Sequence, residues 1–272
     1  MMNDSVAGRV AALQRYPVKS MLGEPRDSLR VGPSGVEGDR QFAFIDDETG
    51  RVATAKHPRL WKALLQCSAM TGADGVVVTL PGGDAIPVTE AAGRLSEMLG
   101  RTVHLADKRA AGAVLERSDP LQVLEHGVEA EFDPVLLELG QGAPGGAFVD
   151  LAPVHLITTA TLDEIGVGMA EALRYRPNII VDVPGPPFAE NDWPGVEIRV
   201  GGVTLRGMVP TPRCSVPTLE HGNLDRLPDA VRYLIKNNRV EVPGFGPSPC
   251  AGLYAEVVSV GDVSVGDDVR VA

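Results

Sequence analysis

"RYRPNIIVD", residues 174–182, places two arginines around a tyrosine and a proline and then runs straight into an apolar stretch. The run Ile179–Val181 reads as a buried strand, which sets Arg174, Arg176 and Asn178 at its mouth. The chain carries 36 acidic against 25 basic residues, a net charge of -11. That balance disfavours nonspecific attraction to DNA, RNA or anionic lipid, so any anion site has to be a local basic cluster.

Outward from this stretch the text is dominated by short β-type runs. Thirty-one glycines and 22 prolines punctuate them, the pattern of strands joined by tight turns. "NIIVDV", "VEIRV", "VTLRGMV", "LYAEVVSV" and "VSVGDDVRV" read as strands in the second half, with a Gly201-Gly202 turn between the second and third. In the first half "QFAFID", "DETG" and "RVATAK" predict a hairpin, and "GVVVTL", "PGGD" and "AIPV" a second. Helices are few. "TEAAGRLSEMLG" predicts one from Thr89 to Gly100 with Ala91, Ala92, Leu95, Met98 and Leu99 on one face, and "LPDAVRYLIKNN" another with Val231, Leu234 and Ile235 inward. "VHLITTATLDEI" reads as a strand entering a short helix, for which Thr161 and Glu164 have capping-box spacing.

The fold class is therefore mainly β with some helices (α+β). At 272 residues the chain can form two compact lobes sharing an interface. Residues 107–150 read as an irregular connecting segment, which puts an N-terminal lobe at 1–110 and a second domain at 111–272. The start, "MMNDSVAGRV", lacks an apolar leader core, and no window nears the roughly 20 apolar residues of a membrane span, so a cytoplasmic, soluble protein is expected.

Several local signals carry little. Gly140, Gly142 and Gly145 satisfy G-x-G-x-x-G, but they follow the helix-like "PVLLELG" and include Pro144, the wrong context for a dinucleotide loop. The five histidines show no ligand spacing, although His155 or His221 with Cys214 leaves a Cys-His pair open. Cys67, Cys214 and Cys250 cannot build a disulfide framework, a four-ligand zinc site or an iron-sulfur cluster. Cys67 reads as core. Cys214, in "VPTPRCSVPT", is held between prolines beside Arg213, which would favour its thiolate, while a buried inert thiol remains the alternative. Lys19 and Ser20 in "YPVKS", Arg40 in "GDRQF", Arg176 and Arg213 bring cations and donors from distant strand ends, a set suited to a phosphate-bearing ligand.

"YPVKS", "GDRQFAFID", "TAKHPRLW", "LITTATLDEI", "RYRPNIIVD", "PFAENDW" and "TPRCSVPT" follow one another in an order that resembles the MOSC-domain proteins with an N-terminal β-barrel lobe, the arrangement of the mitochondrial amidoxime-reducing component and its bacterial relatives. The turn in "SVGDVSVGDDV" departs from that pattern by lacking a proline. The resemblance implies a MOSC β-barrel binding a molybdenum pyranopterin cofactor, with the first strand contributing to the site and Cys214 as metal ligand and catalytic residue. It implies that Arg176 and Asn178 hold the pterin and its phosphate, that Lys19, Ser20, Arg40 and Arg213 add contacts, and that Thr158 and Thr159 offer hydroxyl or backbone contacts. Arg174 has no such role and reads as a solvated or acid-paired arginine. The implied activity is reduction of small N-hydroxylated or N-oxide substrates, with electrons from a separate donor protein or reductase. A cofactor or sulfur carrier without turnover is the alternative.

Overall fold

The computed structural model describes residues 8–272, so most of the stretch read above for a leader lies outside it. Seven strands close into a barrel: β1 (Gly8–Arg15), β2 (Val154–Thr158), β3 (Ile179–Asp182), β4 (Glu197–Val200), β5 (Val203–Pro212), β6 (Gly246–Ser259) and β7 (Asp268–Val271). Their order round the wall is β2-β3-β1-β7-β4-β5-β6, and antiparallel pairing of Val154 with Ala255 joins the last to the first. Only β2 and β3 run parallel, linked through the helix Thr159–Ile165. Closure removes the exposed edges that an open sheet would leave.

The unbroken apolar run of β3 now has a cause. Ile179 and Val181 point into the barrel with Val154, Leu156, Ile198, Val200, Leu205 and Leu253. Ile180 points outward, where helices Thr159–Ile165 and Asp229–Asn237 cover it through Leu162, Ala230 and Leu234. A strand buried on both faces loses its polar alternation, and each such side chain contributes about 1.5–3 kcal/mol.

The N-terminal lobe wraps the meander Ser68–Gly72, Gly75–Thr79 and Ala85–Pro87, plus the helix Ala91–Leu99, around Phe44, Trp61, Leu64, Leu95 and a fully buried Cys67. Gly100 ends that helix in the left-handed conformation, as expected. Its start differs, because Val88–Glu90 form a 3₁₀ turn and no side chain caps it. The predicted "QFAFID"/"RVATAK" hairpin forms only at its closed end: Ile45 and Val52 bridge antiparallel, with the Asp46 N–H donating to Arg51 O and the Ala53 N–H to Phe44 O, while Ala43–Asp46 takes Val103–Ala106 as its ladder partner. The lobes interlock, for β1 is a stave of the second barrel and Ser28–Gly32 pairs with Gly261–Ser264.

The segment expected to be a connector is structured. Val114–Arg117 and Val135–Glu138 form a hairpin with the helix Pro120–His126 between them, and Arg109 donates to the carbonyls of Leu139, Ala143, Gly145 and Ala147 across the Gly-rich loop. Thr158, not Thr161, caps the helix Thr159–Ile165 by accepting from the Thr161 N–H at 3.1 Å. Among the described residues no helix is long and apolar enough to cross a membrane.

Candidate functional site

A narrow, partly open cleft lies where the turn after β1, the entry to β3, the end of β5 and the segment before β2 meet. Lys19, Ser20, Arg40, Arg176, Asn178, Arg213 and Cys214 all line it, joined by Thr54, Lys56, Asp150, His155, Arg174 and Tyr254. Six cations face one carboxylate in a chain that is acidic overall. Apolar walls from Ala55, Leu65, Val149 and Val216 thin the water around them, which strengthens their field.

Three non-glycine residues of this wall, Ser20, Arg40 and Arg176, hold positive φ angles of 64°, 46° and 55°. Backbone of this kind costs about 1–3 kcal/mol per residue and persists where the surroundings force it, commonly at binding sites. Packing forces it here. Tyr16 accepts from the Arg40 N–H through its carbonyl at 2.7 Å, and the Arg40 and Arg176 guanidinium carbons lie 4.5 and 4.4 Å from its ring centroid. Arg40 also pairs with Asp39 and donates to the Arg176 carbonyl at 3.0 Å. Burial opposes the charge on Arg40, and the Asp39 carboxylate more than reverses it.

Arg176 differs. Nη1 donates to the Met21 carbonyl at 2.6 Å, while Nη2 is buried with no partner. Burial, with the nearby Arg40 charge, lowers its pKa to about 10. A buried guanidinium with an unused donor is costly unless something else fills the geometry. Lys19 donates to the Phe148 carbonyl and to Asp150, both at 2.8 Å, and burial brings its pKa down to about 8 against the opposing pull of Asp150.

The other predicted residues fall into different roles. Asn178 accepts from the His155 N–H through Oδ1 and donates from Nδ2 to the Gln14 carbonyl, so its side chain ties β1, β2 and β3 together at the cleft. Arg213 is fully engaged: Nε donates to Ala251 O, Nη1 to Tyr175 O, and Nη2 to Ala251 O and to His155 Nε2 at 2.5 Å. Burial and the Arg213 charge hold His155 neutral, its pKa well below the ordinary histidine value. Arg213 therefore positions the strand end that presents Cys214, which is 9% exposed on the cleft wall. Cys250 and Cys67 are fully buried, and burial raises both thiols to about 11.

One expectation is corrected, and for Arg174 the acid-paired alternative holds. Thr158 and Thr159 do not reach the cleft: Thr158 is a helix cap hydrogen-bonded to Glu190 and Thr161, and Thr159 donates to Asp182 on the outer side. Arg174 is acid-paired but not solvated. Only 2% exposed, it bonds Glu171 and donates to the carbonyls of Pro217, Leu219 and Asp225, pinning the loop after Cys214. Sequence reasoning missed Lys56 and Asp150, and named His155 only as a possible partner of Cys214. Lys56 stood inside the quoted "TAKHPRLW", whereas nothing marked Asp150.

Among the described residues no group of three or more His, Cys, Asp or Glu could hold a bare metal ion. A metal at Cys214 would have to arrive with most of its ligands attached. Soft thiolate, clustered cations and the free Arg176 donor fit a metal carried by an anionic, sulfur-rich organic group.

Comparisons with known proteins agree with this architecture. Residues 7–114 match the MOSC N-terminal beta barrel domain, and residues 145–270 match the MOSC domain. Over 280 residues the chain is 25% identical to mitochondrial amidoxime reducing component 2 of Homo sapiens, covering 96% of this chain and 83% of that protein. The protein of that name from Bos taurus is 24% identical over 293 residues, covering 96% and 82%. The one from Rattus norvegicus is 30% identical over 132 residues, 45% of this chain and only 38% of the relative's length. The crystal structure of the YUAD protein of Bacillus subtilis aligns with 97% of this chain and 94% of that one, at a TM-score of 0.45 and 12% identity. With both modules present in order, the chain belongs to the MOSC-domain proteins that carry the N-terminal barrel domain, a family associated with the molybdenum cofactor.

Proposed function

We propose that the protein is a molybdenum-cofactor-dependent oxidoreductase that removes oxygen from small N-hydroxylated or N-oxide compounds. The observation that carries this reading is the pairing, in one cleft, of the Cys214 thiol with buried cations of which Arg176 has an unused donor. The bound cofactor would supply the two-electron oxygen-transfer chemistry. The chain's own residues would hold it and shape the space around it. Arg176 Nη2, Lys19 and Lys56 would grip the phosphate, Ser20 would add a hydroxyl, and the Cys214 thiolate would be the protein's ligand to the metal. Arg213 and Asn178 act behind these as positioning residues. Leu65, Val149 and Val216 limit water. Overall, two electrons and two protons cleave the N–O bond: an N-hydroxylated compound yields N–H and water, an N-oxide the free amine and water. Nothing in the chain's three cysteines can store those electrons as an iron-sulfur cluster, so a separate protein donor is part of the proposal.

Protein made in a host that synthesises the cofactor should contain about one molybdenum per chain and reduce a model amidoxime with a reduced viologen dye. Absence of molybdenum, with a control molybdoenzyme fully loaded, refutes the cofactor reading. Full loading without turnover across a broad panel of N-oxygenated compounds would instead make the protein a carrier.

A further inference from the structure

The single carboxylate of the cleft sits between two of its cations. Asp150 Oδ1 lies 2.8 Å from Lys19 Nζ, and Oδ2 lies 2.9 Å from Lys56 Nζ. Its exposure differs from theirs. The Asp150 side chain is 32% exposed, while those of Lys19 and Lys56 are 6% and 16% exposed. The lysines are built into the wall, and the acid reaches them from the solvent side.

The backbone around Asp150 is fixed independently of this contact. Phe148 donates its N–H to the Arg40 carbonyl at 2.7 Å and accepts from Lys19 at its own carbonyl, and the Asp150 carbonyl accepts from the Gly140 N–H at 3.0 Å. Rotation of one short side chain therefore breaks both ion pairs without moving the chain. A carboxylate that spans two ammonium groups places one oxygen on each but carries a single negative charge, where a phosphate monoester dianion places two oxygens and two charges. The charged groups that face it are Lys19 and Lys56 and, further off, Arg40 and Arg176; Asp39 neutralises Arg40, so an anion replacing Asp150 meets the field of the two lysines and Arg176.

We propose that Asp150 is a displaceable internal counter-ion, which neutralises Lys19 and Lys56 in the ligand-free chain and turns out to solvent when a dianionic phosphate monoester takes its place. This rests on the reading of the cleft as a phosphate site and adds a selectivity function to it. A monoanion brings no more charge than Asp150 already supplies and gains nothing by displacing it, whereas a dianion brings one charge more against the two ammonium groups. Asp150 thus works against weak anions of the cell and leaves the cleft to a ligand of matching charge.

Inorganic phosphate is the probe, titrated calorimetrically into cofactor-free protein at constant ionic strength. Asp150→Asn removes the competing charge and should bind phosphate at least about ten-fold more tightly than the wild type. Equal or weaker binding by a folded Asp150→Asn protein overturns the proposal and makes the residue a structural staple. Arg176→Met separates the layers of the argument. If it loses phosphate affinity while Asp150→Asn gains none, the counter-ion idea alone fails. If wild type, Asp150→Asn and Arg176→Met all bind phosphate alike, the phosphate-site reading fails too. Should Asp150→Asn not fold, a wild-type crystal soaked in phosphate decides: the ion should bond both lysine Nζ atoms with the Asp150 carboxylate turned away, and intact ion pairs beside a bound ion would contradict it.

Discussion

Replacing Arg174 and Arg176 one at a time by methionine separates a structural cation from one that faces a ligand, although the two are only two residues apart. Arg174 donates to Leu219 O at 2.8 Å and Asp225 O at 2.7 Å, with a longer contact to Pro217 O at 3.4 Å. Hydrogen bonds from a charged donor contribute about 1.5–3 kcal/mol each. Glu171 is a third exposed and stays hydrated without its partner, so its pairing adds little. Because the bonds share one guanidinium they do not add fully, and Arg174→Met should cost about 3–5 kcal/mol. Arg176 makes one carbonyl bond, leaves Nη2 unpaired, and is held in a site whose burial works against its charge. Methionine keeps a contact with the Tyr16 ring, so the stability change should stay within about 1 kcal/mol. Urea unfolding of cofactor-free protein measures the first quantity, and molybdenum per chain after expression at limiting cofactor measures the second. Arg174→Met should unfold much earlier; Arg176→Met should unfold normally and load poorly. An Arg176→Met protein that loses as much stability as Arg174→Met yet retains its molybdenum would refute the assignment of the two arginines.

Cys214→Ala should abolish viologen-driven turnover per bound molybdenum and alter the paramagnetic signal of the pentavalent metal, while Cys67→Ala, in the N-terminal core, should cost about 1–2 kcal/mol of stability and leave both untouched. Acid should weaken the fold through His221, whose pKa burial lowers to about 4. Its contribution is complete above the ordinary histidine value of about 6.5 and is lost as pH falls toward 4, because the unfolded chain takes the proton first. His221→Gln should flatten the drop in urea midpoint between pH 7.5 and 4.5. At Gly252, φ is +81° and an added Cβ would lie 2.4 Å from His155 Nε2, so Gly252→Ala should cost at least about 2 kcal/mol and dislodge Arg213, seen as a lower melting temperature with faster alkylation of Cys214.

The strands of the second half were legible because each is an apolar run cut by turn residues, and β3 through β6 lie where those runs fall, whereas "VSVGDDVRV", read as one strand, divides into Gly261–Ser264 and β7. Of the "QFAFID"/"RVATAK" hairpin only the Ile45–Val52 bridge forms, because ladder pairing depends on which partner the fold brings alongside, and Ala43–Asp46 meets Val103–Ala106, about sixty residues further on. Cations at strand ends pointed to the cleft. Their division of labour did not show, since Arg174, Arg176 and Arg213 differ only in how many carbonyls surround each guanidinium. The left-handed backbone at Ser20, Arg40 and Arg176 was equally hidden, for no glycine or asparagine announces it. Asp150 looked like any surface acid because its importance comes from Lys19 and Lys56, which lie far off in sequence.

The position of β1 bears on how the molecule is made. During synthesis the first strand leaves the ribosome early, yet its neighbours in the wall, Ile179–Asp182 and Asp268–Val271, are among the later segments to emerge. The N-terminal lobe can gather around Phe44 and Trp61 while this strand waits, its apolar Val10 and Leu13 without their final cover. Closure needs both neighbours, so the barrel can complete only once Asp268–Val271 has emerged and β1 can seat between two later segments. A fragment covering only residues 145–270 would lack that stave and expose the edges of β3 and β7, so the matched segment does not by itself hold a closed barrel.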